Sequence, residues 1–103
     1  MEIGKKLREG RKEKDISLEE IAEETKIRKK YLKALEKNDF GQISGKVYVK
    51  AFIRGYGNAV GIDTEPLIKE YEEYIREQEK EKELDEEMNQ KNYSFLENIN
   101  VKM

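Results

Sequence analysis

The chain has 103 residues, of which 43% are charged and 36% apolar, so it allows one compact domain with an economical core and a charged remainder. It holds no cysteine and no histidine, which excludes disulfides, thiol and imidazole chemistry, and the two side chains most used to hold zinc. The net charge of −2 conceals an asymmetry: residues 1–63 carry 15 Lys/Arg against 11 Asp/Glu, whereas residues 64–92 carry 5 against 11, so a mildly basic front precedes an acidic stretch.

Ile3 and Leu7 stand four apart on one face of a first helix that ends near Asp15. Ser17 with Glu20 three residues on forms a capping box, ahead of the apolar stripe Leu18, Ile21 and Ala22. Thr25-Lys26 breaks the pattern, and Ile27, Tyr31 and Leu35, with Leu32, restart it as a third helix over 27–37. Asn38-Asp39-Phe40-Gly41 reads as a loop that returns Phe40 to the core. The most apolar segment runs from Val47 to Tyr56. Valine, tyrosine and phenylalanine also suit a strand, but the pattern extends to Ala59 and Val60, and that length favours a helix. Gly61 closes it. Asp63 or Thr64 then caps a fifth helix with Pro66 in its first turn, where a missing N–H costs nothing. That helix is amphipathic through Leu67, Ile68, Tyr71, Tyr74 and Ile75; residues 76–83 have no apolar side chain. The reading is a domain over 1–75 followed by a charged juxtamembrane-type linker over 76–103, partly helical or disordered. No apolar run reaches the roughly 18 residues of a membrane span, and no secretory signal is evident, so the chain is expected to be soluble and cytoplasmic.

Two short amphipathic helices over 18–25 and 27–37, joined by a tight turn, make a helix-turn-helix core. Gly4-x-x-Leu7-Arg8, Ser17-Leu18-x-x-Ile21-Ala22 and Thr25-x-Ile27 resemble the lambda-repressor-like, Xre-type domains across residues 1–61. The expected fold is therefore all-α, a bundle of about five helices with a frayed charged C-terminal extension. On a helical wheel Lys26, Lys29, Lys30, Lys33 and Lys37 fall within about 100° of arc, while Arg28 turns toward the side of Leu32 and Leu35. Such a stripe suits phosphates, but base reading wants Arg, Asn or Gln near the start of the helix. Glu19 and Glu20 moreover stand where DNA-binding relatives tend to place a phosphate-contacting glutamine. A solvated Lys/Glu face, an acidic protein or anionic lipid partner, and nucleic acid all remain open.

The same wheel drawn from Tyr48 gathers Phe52, Tyr56 and Ala59 within about 80°, and Val49, Ile53 and Val60 widen the arc to about 140°. A helix docking on a small core needs an arc of about 100°. The Tyr48–Phe52 edge is thus either a surplus interface anchor flanked by basic residues or is covered by Leu67 and Tyr71 of the fifth helix. Lys46, Lys50 and Arg54 take the opposite side. The runs from Thr25 to Phe40 and from Gly45 to Tyr56, followed by Gly61-Ile62-Asp63, resemble the N-terminal cytoplasmic domain of the bacterial cell-shape family RodZ over about residues 1–70. The resemblance implies binding of the actin-like filament protein MreB through the aromatic pair of the fourth helix, which falls on Tyr48 and Phe52, with Lys50 and Arg54 placed to pair with acidic groups. It implies a location at the cytoplasmic face of the inner membrane, attached only through a segment absent from this chain. The family usually has Pro-Gly ahead of the aromatic helix, where this chain has Ser44-Gly45, and Gly where this chain has Ala51. The alternative is a DNA-binding transcription regulator using Lys26, Lys29, Lys30, Lys33 and Lys37.

Catalysis is not expected. Glu70, Glu72, Glu73 and Glu77 lie on a polar helix with no apolar pocket to shift a pKa. No oxygen-ligand calcium loop and no glycine-rich phosphate loop is present, so no cofactor is assigned.

Overall fold

The computed structural model describes residues 1–82, and every regular element among them is helical. The order is α1 (Ile3–Glu13), α2 (Leu18–Thr25), α3 (Lys29–Glu36), a single 3-10 turn at Phe40–Gln42, and α4 (Lys46–Ala59), then α5 over residues 65–82. This is the lambda-repressor-like helix-turn-helix bundle expected. The chain divides into two units, Met1–Tyr71 and Glu72–Met103. The second is helical over 72–82, where Gln78 Nε2 donates to the Tyr74 hydroxyl at 2.6 Å. The expected linker falls largely outside the described residues.

Helix boundaries follow local chemistry. The Ser17 hydroxyl accepts the Glu20 N–H at 3.1 Å, and the Glu20 carboxylate accepts the Ser17 N–H, so the capping box forms as read. Lys26 ends α2 in the left-handed region at φ 64°. The Thr25 hydroxyl bridges this turn, donating to the Ile21 carbonyl at 2.7 Å and accepting the Ile27 N–H at 3.2 Å. The chain then leaves Ile27 buried at the corner between the two helices. Gly61 closes α4 at φ 72°, and the Asp63 carboxylate accepts the Glu65 N–H at 3.2 Å at the start of α5.

Within the first unit α3 packs against α1, α2 and α4. The centre consists of Ile3, Leu7, Ile21, Leu32, Leu35, Ile53 and Tyr56, all fully buried; each aliphatic contributes roughly 1.5–3 kcal/mol on burial. Leu67, Ile68 and Tyr71 close one side, and Tyr71 meets the Phe40 ring edge-on at 5.1 Å between centroids. Phe40 does return to the core. Gly4 lets α1 lie directly on α3, because a Cβ there would overlap the Glu36 carbonyl oxygen. Its N–H donates to Asn38 Oδ1 at 2.9 Å.

Candidate functional site

The apolar arc of α4 is wider than the core it serves. Val49, Ile53, Tyr56 and Val60 are fully buried, but Tyr48 is 61% exposed and the neighbouring Val47 is 78% exposed. Gly45 starts the helix at φ 102° and ψ 139°, a conformation only glycine takes without strain, and this sets the direction in which the first turn of α4 leaves the loop. Phe52, one turn beyond Tyr48, is half-buried; the two rings lie 6.3 Å apart at 48°. Phe52 also stacks on Tyr31 of α3, with centroids 5.6 Å apart and planes at 29°. Tyr31, Ile43, Ser44, Tyr48 and Phe52 line an open cavity of about 270 Å³. Leu67 and Tyr71 do not cover this edge: Tyr71 packs instead against Phe40.

Tyr31 and Ile43 were not among the site residues read from the sequence. The helical spacing puts Tyr31 in phase with Ile27 and Leu35 on the apolar stripe of the third helix. Tyr31 is half-buried and forms one wall of the cavity, with the Lys30 ammonium 4.9 Å from its ring centroid. Lys50 and Arg54 are less well placed than the aromatic pair. Each lies two residues beyond one of those aromatics on α4, which is about 200° around the helix. Arg54 is exposed and Lys50 half-buried. A ligand in the cavity and a ligand paired with these cations would approach different faces of α4.

The expected lysine stripe is shorter than the wheel suggested. α3 begins at Lys29, not at Ile27, and only Lys29, Lys30 and Lys33 are helical within it. Lys26 is the left-handed cap of α2, and Lys37 lies past the last turn of α3. Arg28 precedes α3 in an extended conformation and is exposed, so it does not turn toward Leu32 and Leu35. A wheel carried across a left-handed residue loses its phase. Lys29 is paired with Glu19 of α2, and its N–H bond holds the Glu19 carboxyl below the usual carboxylate range.

Behind the aromatic face a polar triad fixes α4 to α1 and α3. Arg11 Nε sits 3.0 Å from Glu36 Oε2 and 3.2 Å from the Tyr56 hydroxyl, and Arg11 Nη1 donates to the Ile16 carbonyl at 3.2 Å. The Tyr56 hydroxyl donates to Glu36 Oε2 at 2.6 Å. Burial first, and then the bond to Glu36, push the Tyr56 phenol far above its ordinary 10.0; the same carboxylate raises Arg11. No sequence signal marks this triad, whose members are 20 to 45 residues apart.

Comparison with known proteins agrees with this architecture. A family model described as a helix-turn-helix domain matches residues 6–67. The chain is 45% identical over 60 residues to the uncharacterized membrane protein YmfM of Bacillus subtilis (strain 168), covering 58% of this chain and 21% of that protein. It is 33% identical over 70 residues to the cytoskeleton protein RodZ of Streptococcus pneumoniae, covering 68% of this chain and 25% of that one. The chain therefore spans a quarter or less of the length of these relatives. A solved structure of YmfM from Staphylococcus aureus, a membrane protein provisionally described as DNA-binding, superposes with a TM-score of 0.63 at 31% identity, over 69% of this chain and 87% of that one.

Proposed function

The chain belongs to the helix-turn-helix family whose model it matches over residues 6–67, and on that premise we propose that it is an adaptor module binding an actin-like filament of the MreB type through the aromatic edge of α4. The observation that carries this reading is Tyr48, a large ring left 61% exposed beside Val47 and over a cavity lined by Tyr31, Ile43 and Phe52. Large apolar surface beside a preformed hollow is the usual anchor of a protein interface, since a tyrosine buries much area while freezing few rotors. Similarity to the cytoskeleton protein of Streptococcus pneumoniae supports a filament as the partner. No described helix is long and apolar enough to cross a membrane; the similarity to the membrane protein YmfM supports a domain held at the cytoplasmic face of the membrane by other sequence. Its role there is binding and not catalysis, with cell-shape and wall-synthesis control as the process served.

Co-sedimentation of the full chain with polymerised MreB tests the proposal. Tyr48→Ala is expected to weaken binding about 10-fold or more, the effect of losing a central anchor, with the thermal melt unchanged because the ring is exposed. Binding at wild-type strength by this variant sinks the assignment. A nucleic-acid reading has its own support in Lys29, Lys30 and Lys33 on exposed positions of α3 and in the description of the Staphylococcus aureus relative. Salt-titrated DNA binding, abolished by Lys29→Glu/Lys33→Glu, is the outcome that reading requires.

A further inference from the structure

The helix-turn-helix face carries an arrangement that the filament reading does not use. In this fold the recognition helix enters the major groove while the helix before it crosses the phosphate backbone. A helix N-terminus offers a phosphate free backbone N–H groups and a positive dipole end. At the start of α2 two of the four such N–H groups are already taken. The Glu20 N–H goes to the Ser17 hydroxyl, and the Ser17 N–H goes to the Glu20 carboxylate. Glu19, in the same turn, is paired with Lys29, the first residue of α3. Two carboxylates thus stand at the helix end where a phosphate would dock, and one of them holds the leading lysine of the recognition helix. The whole of α2 has exposed Glu19, Glu20, Glu23 and Glu24 and no basic residue.

We infer that Glu19 and Glu20 form a built-in block that closes the helix-turn-helix face to nucleic acid and thereby sets the domain's partner specificity. Glu19 takes the place of a backbone phosphate on Lys29, and Glu20 takes the place of a phosphate on the Ser17 N–H. A duplex drawn to the lysines of α3 also meets the carboxylates of α2, whose repulsion is felt over about 8 Å at physiological salt. The block acts on the opposite function from the aromatic edge of α4, so it stands or falls independently of filament binding.

The test is fluorescence anisotropy of a short mixed-sequence DNA duplex with the full chain, titrated from about 50 to 200 mM salt, the range over which phosphate contacts weaken steeply. Glu19→Gln/Glu20→Gln removes the charges and keeps the fold, because glutamine also serves at the third position of a capping box; a circular-dichroism melt verifies it. A Glu23→Gln/Glu24→Gln variant makes the same change in net charge at the other end of α2. The wild-type chain is expected to show no salt-sensitive binding. Glu19→Gln/Glu20→Gln should bind at least about 10-fold tighter at low salt, with the gain removed by adding Lys29→Glu and weakening as salt rises. The control pair should gain far less. Wild-type binding equal to that of the Glu19→Gln/Glu20→Gln variant overturns the inference. So does an equal gain in the control pair, which would make the effect one of net charge, and so does no gain in either.

Discussion

The Tyr56 hydroxyl joins the Arg11–Glu36 ion pair, donating to the same carboxylate oxygen that Arg11 holds. Arg11 and Glu36 keep only 17% and 12% of their side-chain surface, so removing one partner leaves a charge with little water to replace it. Arg11→Ala is expected to cost about 3 kcal/mol in urea unfolding, and Tyr56→Phe about 1–2 kcal/mol for the lost donor to Glu36. The raised phenol also fixes the sign of a pH effect. The folded state holds the Tyr56 proton more tightly than the unfolded chain, whose value is near 10.0. Its stabilisation is therefore fully present below about pH 10 and lost as pH rises above it. Melting temperature measured from pH 8 to 11 should fall more steeply for wild type than for Tyr56→Phe, and parallel curves would contradict the assignment. The triad was illegible in the sequence, because its members lie on three helices and no local pattern joins them. The same holds for Asn38, which accepts the Gly4 N–H from 34 residues away.

At the scale of elements, what could be read in advance was what is decided locally. The capping box at Ser17, the closure of α4 at Gly61 and the start of α5 near Asp63 each depend on a few adjacent residues, and each is found where the sequence put it. The third helix went partly astray because Lys26 adopts a left-handed conformation that periodicity cannot register. The consequence reached the site: Tyr31 left the expected core stripe and became a wall beside Phe52. The α4 edge was legible as a surplus of apolar arc, but only the packing of Tyr71 on Phe40 decided that α5 does not cover it. Two element-level outcomes follow. Ser17→Ala should cost about 1 kcal/mol, read by chemical denaturation, for loss of the cap. Gly45→Ala forces a φ of 102° on a residue with a Cβ, which should cost about 1–3 kcal/mol. It should also weaken filament binding by turning Tyr48, whereas Gly41→Ala, where a Cβ meets open space, should leave both unchanged.

For the whole molecule, the charge asymmetry of the sequence corresponds to a division of labour. The unit Met1–Tyr71 holds the buried core and the aromatic cavity, and the acidic remainder begins within α5. A chain ending after residue 75 should unfold cooperatively with a melting temperature within a few degrees of the full chain, since no described side chain beyond Tyr71 is fully buried. The family's helix-turn-helix framework is thus retained, with its recognition face charged against itself and an aromatic edge of α4 exposed. Contact of this edge with the filament is best tested by site-specific photo-crosslinking. A benzophenone amino acid is placed at position 48 or at position 54 of the full chain, and each is irradiated with polymerised MreB. A crosslinked product is expected from position 48 and little from position 54, about 200° away around α4 from the Phe52 side chain. Crosslinking from position 54 with none from position 48 would contradict that contact.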